Sequence, residues 1–486
     1  MSDELTVSVG GGTRVAVDEL FAEAAALGAL EGACLDWADR AEAIRNGLQC
    51  SGVADAPGAA ASWGRARGLS QAGSIFSQAA RETGAMRESL VVSAERYGQA
   101  ERTVTAMWEA GVRYAGANAG LFALVALPFL IGPGLAAGRA LAQAAANGAW
   151  SPKATARTLL SDPRFVRLVR AAGGSVDELL LGLRGVPAPI AMLIGAGLGA
   201  PENASLLLGA AGGLGFFGSR VLVDRAVTVG RAPVPGGDRV PPPASVGDLA
   251  RRVPSPDAGG AQVRVERYGS QAASRWVVYI GGTMDFLPVA GDEPFDLTSD
   301  LHAVADGSRL DGFRVSGAEA GAAERAVRQA LAEAGARPGD PILPVGHSAG
   351  GMITAALARD PELDVVAAVN LGGPVANMDL GDVRVLSIEH VDDLVPALGG
   401  PPHPSPGLTT VTREALPGAA TGEDLLPAHA LSRYRETAEL VDRSKAPELA
   451  GFGDLIRDFA GEDPGTRSDW RATRVSPGVS SGEGAR

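Results

Sequence analysis

Apolar residues within residues 20–107 recur every three or four positions, which is the spacing of one face of a helix. One series precedes a turn-rich segment at residues 51–58 and another follows it. Together they predict an antiparallel helical hairpin over residues 1–113. The members are Leu20, Ala24, Leu27, Leu30, Cys34, Trp37, Ala41, Ile44 and Leu48, then Phe76, Ala79, Thr83, Met86, Leu90, Tyr97, Val104 and Met107.

Charged side chains are nearly absent from much of residues 114–228. The stretches 114–138, 185–201 and 203–219 contain none, although Pro128 and several glycines interrupt the first. The first stretch is long enough to cross a bilayer. The pattern leaves two alternatives for residues 114–219: helices that are buried or membrane-associated, and a stable membrane span.

A third pattern predicts an α/β domain over residues 262–463. Apolar, β-branched runs at 276–280, 342–345 and 383–389 predict strands, and 351–358 predicts a helix. We expect a mostly parallel sheet flanked by helices, preceded by a largely α-helical N-terminal half. Proline and glycine cluster within 229–261, which predicts a linker, and the Ser/Gly/Arg-rich residues 464–486 predict a disordered tail.

Composition narrows the choice of partners and cofactors. A net charge of −13 over 486 residues, without a basic cluster, argues against a nucleic-acid partner. No spacing of ligand residues predicts a metal site, and no cofactor is expected. Cys34 and Cys50 on one continuous helix would lie about 24 Å apart, too far for a disulfide, so we expect free thiols unless that helix ends early.

The N-terminus gives an expectation about localisation. Residues 1–7 contain acidic side chains where a secretory signal peptide has basic ones, and no apolar stretch follows. Two alternatives remain: a cytoplasmic protein, or one that reaches the cell envelope or the exterior by a route that needs no signal peptide.

The pentapeptide at residues 346–350, Gly-His-Ser-Ala-Gly, joins a predicted strand to a predicted helix. This context suits a nucleophilic Ser348, because the GxSxG motif requires a sharp turn between a strand and a helix. The flanking glycines allow strand and helix to approach closely. The dipole of the helix N-terminus then favours an oxyanion developing beside the serine.

A nucleophilic serine needs a base, and the chain has five histidines. Folds with this motif place the triad in the chain order serine, acid, histidine. His302 precedes Ser348, His347 lies inside the motif, and His390 ends a predicted strand before any plausible acid. His429, at the start of a late helix, is therefore the predicted general base, and His403 is the alternative.

The acid and the oxyanion hole follow from the same architecture. Asp392 and Asp393 come directly after a predicted strand, and only one of two neighbours can face the imidazole. The amide of Ala349 is one predicted oxyanion donor. The other is expected from the loop after strand 276–280, with Thr283 and Met284 as candidates.

Residues 262–450 resemble compact α/β-hydrolases, in particular the serine esterases and lipases of actinobacteria, including PE/PPE-linked esterase domains, cutinase-like enzymes and, more distantly, class 3 lipases. The resemblance implies that Asp393 is the acid, that Thr283 contributes to the oxyanion hole, and that the substrate is an ester or a lipid. Gly281-Gly282 stands where many relatives have Pro-Gly. The matching segments are residues 281–283, 346–351, 393–396 and His429.

The N-terminal hairpin resembles the WXG-type hairpins of type VII secretion substrates. The resemblance rests on Trp63-Gly64 near the turn and on Tyr97 and Glu101, which match a Tyr-x-x-x-Asp/Glu signal. It implies export by that route and a helical partner protein that binds residues 1–113. The alternative is a plain helical interaction domain.

These expectations define three candidate functions. The first is a serine hydrolase of carboxylic esters that uses Ser348, His429 and Asp393 through an acyl-enzyme. The second is a secreted interaction protein whose hydrolase-like module is not catalytic. The third is an acyltransferase that uses the same three residues, because the acceptor depends on pocket shape and access of water.

Overall fold

The computed structural model describes residues 5–9, 12–14, 18–50, 67–89, 151–173, 225–234, 236–255, 260–285, 290–305, 321–403, 405–417 and 424–475. The chain divides into two units. Met1–Gly12 and Thr103–Arg486 form the larger unit, and Thr13–Arg102 forms the smaller unit.

The regular elements of both units are numbered in chain order. The strands are β1 (Thr6–Val9), β2 (Gly12–Arg14), β3 (Val227–Ala232), β4 (Arg239–Val240), β5 (Val263–Tyr268), β6 (Arg275–Ile280), β7 (Pro341–His347), β8 (Asp364–Val365), β9 (Ala367–Leu371), β10 (Arg384–His390), β11 (Leu408–Arg413) and β12 (Gly465–Arg474). The helices are α1 (Asp18–Cys50), α2 (67–89), α3 (Pro152–Leu160), α4 (Pro163–Gly173), α5 (Val246–Arg252), α6 (Leu297–Ala305), α7 (Ala322–Ala334), α8 (Ala349–Arg359), α9 (Leu394–Ala397), α10 (Leu431–Arg443) and α11 (Pro447–Ala460).

A mixed sheet forms the centre of the larger unit, in the order β1-β11-β10-β9-β7-β6-β5-β12-β3. Neighbours from β11 to β6 are parallel. The pairs β1–β11, β6–β5, β5–β12 and β12–β3 are antiparallel. The larger unit is therefore a mixed α/β structure, which confirms the predicted α/β class at this level.

Buried side chains explain why the central strands contain long apolar runs. Every residue from Trp276 to Ile280 in β6 is buried, because helices cover both faces of parallel strands. One cluster joins β5, β6 and β12 to one face of α7, including Ala326, Val327 and Leu331. A second cluster joins α8 to β9 and β10.

The predicted linker and tail are wrong over their described residues. Within residues 229–261, β3 pairs with β12, and α5 begins at the N-cap Ser245 and buries Leu249. Within residues 464–486, β12 lies between β5 and β3 and buries Trp470. Two arginines of this segment form ion pairs: Arg467 with Asp469, and the fully buried Arg474 with Asp296, with Nη1–Oδ2 2.6 Å.

The smaller unit contains α1 and α2, which run antiparallel. Gly28 lies beside Arg87, and Ala41 lies beside Gly73. The predicted apolar series is only partly buried: Trp37 packs on Phe76 with ring centroids 5.4 Å apart, yet Trp37 and Ile44 are 58% and 55% exposed, whereas Ala38, Ala41 and Ala80 are buried. Small residues occupy the contact because they allow the helix backbones to approach closely. The predicted hairpin over residues 1–113 also included β1, but β1 pairs with β11 in the sheet of the larger unit.

Few residues of the predicted 114–228 region are described. α3 begins at the N-cap Ser151, and Val166 and Ala171 of α4 are buried. Arg170 of α4 pairs with the buried Glu389 of β10, with Nη2–Oε2 2.5 Å. No helix among the described residues is sufficiently long and apolar to cross a membrane. The uncharged stretches, Trp63, Tyr97 and Glu101 lie outside the described residues.

The cysteine prediction concerns the smaller unit. Helix α1 continues from Asp18 to Cys50 without ending between the two cysteines. Cys34 is a free thiol.

Candidate active site

Ser348 lies on a sharp turn between β7 and α8. Its φ of 57° is the only positive value of a non-glycine residue among the described residues. A side chain at Gly346 would place a Cβ 2.0 Å from the carbonyl oxygen of Gly350, so glycine is needed for this turn. Ala349 begins α8, and its amide has no intrahelical acceptor. The turn therefore presents a hydroxyl beside an unpaired helix amide.

Ser348, His429 and Asp393 form one hydrogen-bonded chain. The distance from Ser348 Oγ to His429 Nε2 is 2.8 Å, across 81 residues of sequence. His429 Nδ1 lies 2.6 Å from Asp393 Oδ2. A carboxylate only accepts hydrogen bonds, so Nδ1 of the neutral imidazole carries the proton and Nε2 accepts from the serine hydroxyl. This arrangement lets His429 remove a proton from Ser348.

The electrostatic environment keeps Asp393 ionised although it is buried. Burial alone would raise the pKa of Asp393, but His429, the Tyr434 hydroxyl and the Val395 amide outweigh burial and lower it. Asp393 is also the N-cap of α9, where its Oδ1 accepts from the Val395 amide at 3.0 Å. Its carboxylate is thus fixed in charge and in orientation.

The other two candidates for acid and base face different groups. Asp392 accepts from the amides of Ala415 and Leu416 at 3.0 and 2.8 Å. His403 Nδ1 lies 3.4 Å from Ser405 Oγ, and its amide donates to Ala376 O. The structure therefore brings Asp393 and His429 to Ser348 and gives Asp392 and His403 other partners.

The loop after β6 lies against Ser348. A Cβ at Gly282 would be 3.0 Å from Ser348 Cβ, so only glycine fits without displacement. The Met284 amide donates to Phe295 O at 2.7 Å, which removes Met284 as an oxyanion donor and corrects that alternative. Thr283 remains the candidate from this loop.

Thr283 is held by the half-buried carboxyl group of Asp300. Its hydroxyl donates to Asp300 Oδ2 at 2.7 Å. Burial, reinforced by the charge of Asp296, raises the pKa of Asp300 to about 7, although the Thr283 hydrogen bond opposes the shift. A second layer of polar contacts therefore supports the loop that faces Ser348.

Two further histidines hold the backbone that carries His429. His347 Nε2 donates to His429 O at 3.0 Å, and His390 Nδ1 donates to Ala428 O at 2.8 Å. Burial lowers the pKa of His347 to about 3 and that of His390 to about 4, so both rings are neutral near pH 7. The sequence analysis predicted this supporting role for neither histidine. The signal that could have indicated it is that His347 ends β7 and His390 ends β10.

No group of His, Cys, Asp or Glu side chains within the described ranges is arranged to hold a metal ion. Ser348, Gly282 and Asp393 all follow the carboxyl ends of parallel strands, which is where open α/β sheets form sites.

Fold and site together define a mixed α/β protein with a serine–histidine–aspartate hydrogen-bond chain at the carboxyl edge of its sheet. Comparisons of the chain with protein-family models, curated proteins and solved structures find no match.

Proposed function

We propose that the protein is a serine hydrolase of carboxylic esters with an α/β-hydrolase type of catalytic unit. The observation that carries the proposal is the hydrogen-bond chain from Ser348 through His429 to Asp393. The turn between β7 and α8 and the order serine, acid, histidine support it, because both are typical of this class.

In the proposed reaction Ser348 Oγ attacks the acyl carbon while His429 takes its proton. His429 then protonates the leaving alcohol, and Asp393 holds the imidazole in the required tautomer. The amides of Ala349 and Thr283 stabilise the oxyanion. Water, activated by His429, releases the acid from the acyl-enzyme.

The test is covalent labelling with a fluorophosphonate, together with turnover of a short p-nitrophenyl ester. We expect the Ser348→Ala variant to lose labelling and turnover, because no other described serine has a histidine–aspartate pair of this geometry. Its thermal unfolding should match that of the unmodified protein. Ser405→Ala is the control, since Ser405 is also buried and lies beside His403, the alternative base.

Three outcomes would overturn the proposal. Labelling that survives Ser348→Ala, or that disappears in Ser405→Ala, would place the nucleophile elsewhere. Complete failure of the unmodified protein to label would instead favour the second candidate, a non-catalytic interaction module.

A further inference from the structure

The carboxylate of Asp393 has a second neutral donor besides His429. The Tyr434 hydroxyl, on α10, donates to Asp393 Oδ2 at 2.7 Å. This is the same oxygen atom that accepts from His429 Nδ1 at 2.6 Å. The remaining oxygen accepts from the Val395 amide. Tyr434 and His429 therefore share one acceptor atom and compete for its negative charge.

The surroundings hold the Tyr434 ring in one place. Tyr434 is fully buried, and its ring stacks on that of His390 with centroids 4.0 Å apart. Gly372 has a φ of 71°, and a Cβ there would lie 2.4 Å from Tyr434 Cζ, so a side chain at this position would displace the ring. No solvent reaches the hydroxyl, and the side chain to which it donates is Asp393.

The charge states agree with this geometry. Burial, followed by the charge of Asp393 and the hydrogen bond to it, raises the pKa of Tyr434 well above its ordinary value. The hydroxyl therefore stays protonated and donates. The other titratable groups that face the ring are His390, His347, His429 and Glu389, and Arg170 neutralises Glu389.

We propose that Tyr434 is a positioning residue of the reaction, which fixes the plane of the Asp393 carboxylate and moderates its pull on the His429 proton. The inference rests on the proposed function, in which Asp393 stabilises the imidazolium that forms during attack. Around metal sites, losing a hydrogen bond that orients a ligand from a neighbouring shell commonly costs about 10- to 100-fold in affinity or activity, and we expect an effect of this order here. None of the sequence motifs described above includes Tyr434.

The test compares two tyrosine-to-phenylalanine variants. Tyr434→Phe removes the hydroxyl but retains the ring that stacks on His390. The matched control is Tyr279→Phe, because Tyr279 is also fully buried and also donates to a carboxylate, Glu266 Oε2 at 2.9 Å, away from Ser348. Each variant loses one buried hydroxyl-to-carboxylate bond.

We expect Tyr434→Phe to lower kcat/KM for a p-nitrophenyl ester by about 10- to 100-fold, because losing the donor that fixes the carboxylate plane of Asp393 outweighs the stronger attraction of that carboxylate for His429. The acid limb of its pH profile should move to higher pH, because the full charge of Asp393 then stabilises protonated His429. Tyr279→Phe should retain the wild-type profile. If the two variants have superimposable pH profiles, Tyr434 has only a structural role and the inference is wrong.

A second measurement separates this inference from the proposed function. The proton shared by His429 Nδ1 and Asp393 should give a far-downfield NMR resonance, whose position reports that hydrogen bond without any turnover. We expect Tyr434→Phe to shift it and Tyr279→Phe to leave it in place. An inactive wild-type protein would refute the hydrolase proposal alone, whereas an unmoved resonance in Tyr434→Phe would refute the role of Tyr434.

Discussion

The carboxylates of the adjacent residues Asp392 and Asp393 have different hydrogen-bond partners. Asp393 orients His429, whereas Asp392 accepts from the Ala415 and Leu416 amides. We therefore expect Asp393→Asn to lower kcat by about 10³- to 10⁴-fold, because an amide disturbs the imidazole tautomer. Asp392→Asn should leave kcat nearly unchanged and cost about 1–3 kcal/mol of stability.

Steady-state kinetics and denaturant unfolding on both variants check this assignment. A larger loss of kcat in Asp392→Asn than in Asp393→Asn would contradict it.

Asp300 gives a residue-scale prediction about pH and stability. Burial raises its pKa from 3.8 to about 7, so the folded chain keeps a proton that the unfolded chain releases at lower pH. Stability from this group is present below about pH 4 and is lost as the pH rises towards 7. An asparagine cannot ionise, so Asp300→Asn should gain stability relative to wild type as the pH rises through this window.

Thermal unfolding at several pH values between about 4 and 8 measures the effect. Asp364→Asn serves as the control, because Asp364 is exposed, and its difference from wild type should stay nearly constant. If the melting temperatures of wild type and Asp300→Asn change in parallel with pH, Asp300 does not titrate in this range.

At the scale of elements, the contact between the start of α8 and the end of β6 positions Ser348. A Cβ at Gly350 would lie 2.4 Å from Ile280 O and 2.6 Å from Gly281 O, which are both backbone atoms. Gly350→Ala should therefore push α8 away from β6, cost about 1–3 kcal/mol or more, and abolish fluorophosphonate labelling. Thermal unfolding and labelling measure the two effects.

Gly451→Ala is the matched control for that substitution. Gly451 lies in α11, and a Cβ added at this position would have no neighbouring atom within 4 Å, so alanine should stabilise the helix by about 0.5–1 kcal/mol. Normal labelling in Gly350→Ala would mean that the separation of α8 from β6 does not matter for Ser348.

At the scale of the whole molecule, distant parts of the chain complete one sheet. β12 inserts between β5 and β3 and carries the buried Trp470 and Arg474. A chain that ends at residue 463 should lose cooperative thermal unfolding, because β5 then exposes a long, unpaired edge. A chain that ends at residue 475 keeps β12 and should unfold cooperatively. If the two chains unfold with the same melting temperature and cooperativity, β12 is dispensable for the stability of the fold.

Local signals in the sequence determined the strands β6 and β7, the turn at Ser348 and the start of α8. Each depends on residues within a few positions: apolar runs make the strands, and glycines at 346 and 350 permit the turn. The chain order serine, acid, histidine then left His429 and His403 as the possible bases.

The resemblance pointed to Asp393 as the acid, but only the tertiary structure decided that its carboxylate, rather than that of Asp392, faces His429, and which elements complete the sheet. Asp392 and Asp393 have the same chemistry, and their partners lie 23 to 41 residues away in the chain. β12 resembles a charged tail in sequence because its arginines meet acids such as Asp296 only after folding, across 178 residues. Long-range contacts of this kind leave no local periodicity, so no pattern within a short window predicts them.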